Sequence, residues 1–98
     1  MKRLTLVRHA KSDWGDPDLA DFDRPLNGRG RRNAPEMAAR LAEAGLRPTL
    51  MLTSPALRAL ATARAFAKAL DYPASRIRQA DEAYLATPGT LLELVRTL

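Results

Sequence analysis

Two short apolar runs limit what this chain can become. Leu4, Thr5, Leu6 and Val7 form the first, and Leu50, Met51, Leu52 and Thr53 the second. Both are apolar, too short for buried helices, and run straight into polar residues; the first is also rich in β-formers. Each is followed by a helical segment. Asn27 is placed to cap a helix running to Ala44, with Met37, Ala38, Leu41 and Ala42 on one face and Gly45 as its left-handed terminator. Pro35 deprives that helix of a backbone donor and should kink it. Ser54 and Pro55 suit the N-cap and first turn of a second helix ending near Leu70, buried through Leu57, Leu60, Ala61, Ala65, Phe66, Ala69 and Leu70.

Beyond the Asp71-Tyr72-Pro73 breaker, residues 76–80 alternate weakly and read as a third strand. A last helix starts near Thr87-Pro88, or at Thr90, whose spacing to Glu93 fits a capping box; it carries Leu91, Leu92, Leu94, Val95 and Leu98. Strand and helix alternate three times, the order of an α/β domain with a mostly parallel sheet in a three-layer α/β/α arrangement. Such a sheet needs helices on both faces, and the last helix has no Gly or Asn terminator, so further chain is expected to complete the layers. Residues 1–98 then form the N-terminal portion of a single domain. Between His9 and Leu26 the turn pairs Trp14-Gly15, Asp16-Pro17 and Arg24-Pro25 mark a long functional loop.

Composition excludes several chemistries. The chain has no cysteine and one histidine, which rules out a disulfide framework, a thiolate nucleophile and Cys- or His-rich metal sites. Asp13, Asp16, Asp18, Asp21 and Asp23 lack the glycine and terminal glutamate of a calcium loop and read as a solvated acidic rim, with Trp14 as a packing anchor beside it. No metal or cofactor is implied. The basic start, MKR, is followed by an apolar run broken at Arg8, too early for a signal peptide or membrane span; the cytoplasm is the default. The net charge of +5 favours anionic partners. Arg24, Arg29, Arg31 and Arg32 do not form a single stripe and have no interleaved aromatics, so they read as a solvated helix face and not a nucleic-acid surface.

Ligands of open α/β sheets bind beyond the carboxyl ends of the strands, where Arg8-His9 and the Ser54 to Arg58 segment fall. Helix amides at Ser54 and a guanidinium one turn later favour an anion, and Arg can hold two phosphoryl oxygens at once. An imidazole between such groups can attack phosphorus.

The sequence LVRHAKS at Leu6 to Ser12 resembles the RHG signature of the histidine phosphatase superfamily, in the RHA form of its SixA-type phosphohistidine phosphatases, with Ala10 replacing glycine. DRPLNGRGRRNA, from Asp23, is similar to the segment that opens the family's first helix. SPALRALATA, from Ser54, is similar to its SSPxxRAxQTA segment, with Ala61 in place of glutamine. The resemblance implies a phosphoglycerate mutase-like fold and a metal-independent phosphatase with His9 as the nucleophile. It implies that Arg8 and Arg58 bind the phosphoryl group, with Ser54 and Asn27 lining the site and Glu82 as candidate general acid. The substrate implied is a phosphohistidine on a protein; a small phosphate ester, or a non-catalytic phosphate-binding fragment, are the alternatives. The family's second histidine has no counterpart here and is expected shortly beyond Leu98, so this chain should turn over slowly or not at all.

Overall fold

The computed structural model describes residues 3–98, so the Met1-Lys2 part of the basic start lies outside the described residues. The structure is mixed α/β. α1 spans Gly28–Glu43, β1 Leu52–Thr53, α2 Leu57–Ala69, β2 Arg78–Gln79 and α3 Pro88–Arg96. The two strands pair in parallel, with Leu52 opposite Arg78 and Thr53 opposite Gln79. α2 makes the crossover between them, and Ala38, Phe66 and Leu70 form a core packed by Leu41, Leu46 and Met51. None of the helices is long and apolar enough to cross a membrane among the described residues.

Local chemistry sets the ends of α1. The Asn27 Oδ1 accepts the Gly30 N–H at 2.7 Å, meeting one of the donors that a helix start leaves unpaired. Gly45 follows the helix at φ 90°, a left-handed conformation that favours glycine. Pro35 does not break the helix, which is continuous through it. The proline is exposed, and solvent can satisfy the Arg31 carbonyl that loses its partner. The buried residues of α1 are Gly30, Ala34 and Ala38, whereas Met37 is exposed.

Three expectations are corrected. Residues 4–7 form no strand: β1 pairs with β2, the first run has no ladder partner among the described residues, and Leu4, Leu6 and Val7 are exposed. Without a neighbour's N–H and C=O groups, β-propensity alone does not make a strand. Ser54 does not cap α2, because its Oγ accepts the Ala56 N–H at 3.2 Å in a turn that precedes the helix, leaving Ala56 at the cap. The buried line of α2 is Arg58, Thr62, Phe66 and Ala67, and Leu57 is exposed. Of the two starts expected for the last helix the structure has Thr87-Pro88: Thr87 caps α3, its side chain accepting the Thr90 N–H, and the helix closes at Thr97, whose N–H and hydroxyl both donate to the Leu94 carbonyl.

The segment after His9 is fastened to the start of α1. The Asn27 N–H donates to the Lys11 carbonyl at 2.9 Å and the Asp13 N–H to the Pro25 carbonyl at 2.8 Å, on either side of an antiparallel bridge between Ser12 and Leu26. Gly30 makes this docking possible. A Cβ there would overlap the Lys11 carbonyl oxygen and lie 3.0 Å from the Lys11 nitrogen, whereas a Cβ at Gly28 meets only the flexible ends of Arg32 and Arg31. Gly30→Ala is therefore expected to destabilise the chain by about 1–3 kcal/mol through overpacking against backbone. Gly28→Ala should stay within about 0.5 kcal/mol of the parent. Urea unfolding of both variants checks this, and equal effects would contradict the close approach.

Candidate active site

β1 ends at Thr53 and leads to Arg58 on α2; β2 ends at Gln79 and leads to Tyr84. Both side chains converge on Asp21, in a short 3-10 turn, Asp21–Asp23, within the long loop. The Arg58 Nη2 donates to Asp21 Oδ2 at 2.9 Å and its Nη1 to the Asp21 carbonyl at 2.6 Å. The Tyr84 hydroxyl donates to the same Oδ2 at 2.6 Å. On the other side, Arg24 donates through Nη2 to Asp21 Oδ1 at 3.1 Å and through Nη1 to Ser12 Oγ at 2.8 Å. The Trp14 ring stacks on Arg24, 3.4 Å from the guanidinium carbon to the ring centroid, while remaining 76% exposed. Trp14 is thus an outer cover for a cation rather than a core anchor.

Three hydrogen-bond donors and two guanidinium charges around one carboxylate favour its ionised form. They hold Asp21 at about 2 against an ordinary 3.8, with the Tyr84 hydrogen bond the largest cause, followed by those from Arg58 and Arg24. The same carboxylate pushes the Tyr84 phenol above its ordinary value, because losing that proton would place two anions together.

His9 is half-buried, and its Nδ1 lies 2.7 Å from the Ala10 carbonyl oxygen. A carbonyl only accepts, so Nδ1 carries the proton and the free lone pair of the neutral ring is on Nε2. The Ala10 N–H donates to Thr62 Oγ1 at 3.0 Å, and the Thr62 hydroxyl donates to the Arg58 carbonyl at 2.8 Å. One hydroxyl therefore links the backbone beside the imidazole to the helix turn that carries Arg58. Arg8 is exposed and lines a groove of about 390 Å³ with Ala10, Asn33, Met37, Thr62 and Phe66.

The other candidates lie apart. Glu82 is exposed and lines a different groove, of about 560 Å³, with Thr87, Thr90, Glu93 and Thr97 on α3. Asn27 and Ser54 spend their side-chain acceptors on Gly30 and Ala56. Ser54 also precedes α2, so it does not share a helical face with Arg58. Asp21, Thr62 and Tyr84 were not singled out by sequence reasoning. The three-residue spacing of Asp21 to Arg24 was one available sign, but its bonds to Arg58 and Tyr84 span 37 and 63 positions.

The profile of the histidine phosphatase superfamily, branch 1, matches residues 4–86, including the segments around His9, Gly30 and Arg58. The chain belongs to that superfamily. A crystal structure of an Agrobacterium tumefaciens protein named for the phosphohistidine phosphatase SixA superposes with a TM-score of 0.83 at 37% identity, over 93% of this chain and 58% of that one. The protein histidine phosphatase SixA complexed with tungstate superposes with a TM-score of 0.78 at 23% identity, over 91% and 56%, and shows likeness of fold. An uncharacterized chloroplast protein of Arabidopsis thaliana is 40% identical over 70 residues, 71% of this chain and 32% of the relative. The chain thus spans a third of the plant relative's length and under three fifths of the two solved chains.

Two outcomes test the geometry. Asp21 is depressed on folding, so its contribution to stability is complete above about pH 4 and is lost as the pH falls towards 2. Thermal melts should show that acid limb, and Asp21→Asn should flatten it. Thr62→Val, which leaves the Ala10 N–H without an acceptor, should cost about 1–3 kcal/mol, while Thr62→Ser should retain most of the parent stability. Equal losses in the two Thr62 variants would contradict the hydroxyl link.

Proposed function

We propose that the chain carries the nucleophile, His9, and two phosphoryl-binding arginines, Arg8 and Arg58, of a metal-independent phosphatase, in a domain whose complete form is three-layered α/β/α. The carrying observation is the hydroxyl link: Thr62 ties the backbone next to His9 to the helix turn of Arg58, in a chain of the histidine phosphatase superfamily. In the first step the His9 Nε2 lone pair attacks phosphorus in line. An N–P bond forms as the bond to the leaving group breaks, and the leaving group takes up a proton. In the second, water attacks phosphorus, the N–P bond returns its electron pair to Nε2, and the water proton leaves with phosphate. Charge on the transferring oxygens is met by Arg58 and Arg8, so the scheme needs no metal.

The substrate we propose is a phosphohistidine on a protein; phosphohistidine is the substrate in the name given to the similar Agrobacterium tumefaciens protein. An imidazole leaves readily once protonated, which lowers the demand on a general acid. Its exposed position on the α3 side gives Glu82 a smaller part in this reading than in one with an alkoxide leaving group. A second reading, a phosphate-binding piece without turnover, is favoured by one observation: the 98 residues hold a single histidine.

Incubation with radiolabelled phosphoramidate should leave an acid-labile, alkali-stable label on His9. His9→Gln should abolish it, and Arg58→Ala should slow labelling by about 10²–10³-fold. A label that survives His9→Gln would overturn the nucleophile assignment. Absence of label together with phosphate binding would select the second reading.

A further inference from the structure

We infer that Asp21 is a positioning residue for the anion site: it fixes the guanidinium of Arg58 so that the remaining donors face the ligand. The inference rests on the reading of Arg58 as a phosphoryl-binding group. Two acceptors of one residue, the Asp21 carboxylate and its own carbonyl, take Nη2 and Nη1 of Arg58. Two such bonds at the far end of a planar group leave it no free rotation about its long axis. The Arg58 side chain is only 7% exposed, whereas Asp21 is 40% exposed. No buried side-chain polar atom lacks a partner among the described residues. The Arg58 Nε takes part in none of these bonds and is the donor left for an incoming anion.

Asp21 is held in turn. Tyr84 bonds the oxygen that receives Arg58, and its ring lies edge-to-face with Phe22 at 5.1 Å. Arg24 holds the opposite oxygen and is itself fixed by Ser12 and Trp14. A carboxylate that merely occupied the anion site would be a competitor, removable with a gain in affinity. A carboxylate gripped on both oxygens is built to stay, and its removal should loosen Arg58.

The test is orthophosphate affinity of the 98-residue chain, measured by NMR titration alongside the Arg58 Nε–H resonance. Asp21→Asn should weaken binding by about tenfold, the usual worth of a charge-assisted hydrogen bond, and should broaden or lose the Nε–H signal. Tyr84→Phe, which leaves both arginine bonds in place, should weaken it about two- to threefold, and serves if Asp21→Asn does not fold. The double variant should lose less than the product of the two. Asp18→Asn removes an exposed carboxylate from the same loop and should leave binding equal or tighter, which separates positioning from simple removal of negative charge.

Unchanged or tighter binding in Asp21→Asn and Tyr84→Phe, with Arg58→Lys still impaired, would overturn the positioning role alone. Parent-like binding in Arg58→Lys, or no binding by the parent, would overturn the reading of Arg58 and this inference with it.

Discussion

The structure depends on a close approach between two backbones. The segment just after His9 lies against the first turn of α1, where the Lys11 carbonyl and the α-carbon of Gly30 leave no room for a side chain. Everything placed at the strand ends follows from that contact. It sets where the loop leaves, hence where Asp21 meets Arg58, and it brings the Ala10 N–H onto the Thr62 hydroxyl. Packing density in a chain of this size leaves little slack, so a contact made by backbone atoms cannot be replaced by a side-chain adjustment elsewhere.

Much of this scaffold was legible in the sequence. Asn27 and Gly45 bound α1 as their spacing indicates, because caps are local chemistry read over three or four residues. The Arg8-His9 and Arg58 segments were also found, because each follows an apolar run, although only the second run forms a strand. Residues 4–7 have the composition of a strand and, among the described residues, no neighbour to pair with, and pairing is a property of two segments. The α2 face was misjudged for a related reason. Apolar periodicity does not anticipate that Arg58 and Thr62 take buried positions, which they can do because every polar atom they bury is satisfied.

The site itself was legible in part. The imidazole and the arginine can be named from short motifs, but the carboxylate that holds the arginine cannot. Asp21 reads locally as one of five loop aspartates. It differs from Asp13 and Asp16, whose carboxylates serve backbone amides two residues away, through Arg24 nearby and, above all, through partners far along the chain. Its acidity, its hydrogen bonds and its orientation of Arg58 are one fact seen three ways.

The charges around Asp21 do not balance. Two guanidinium groups, with side chains only 7% and 8% exposed, are gathered about a single carboxylate, so the cluster carries one positive charge too many for its low accessibility. Bulk counterions screen such an excess poorly, and moving it to the surface would dismantle the loop. The fold thus stores an electrostatic deficit at the strand ends, and an anion that seats there completes the protein's own charge set as well as meeting its own.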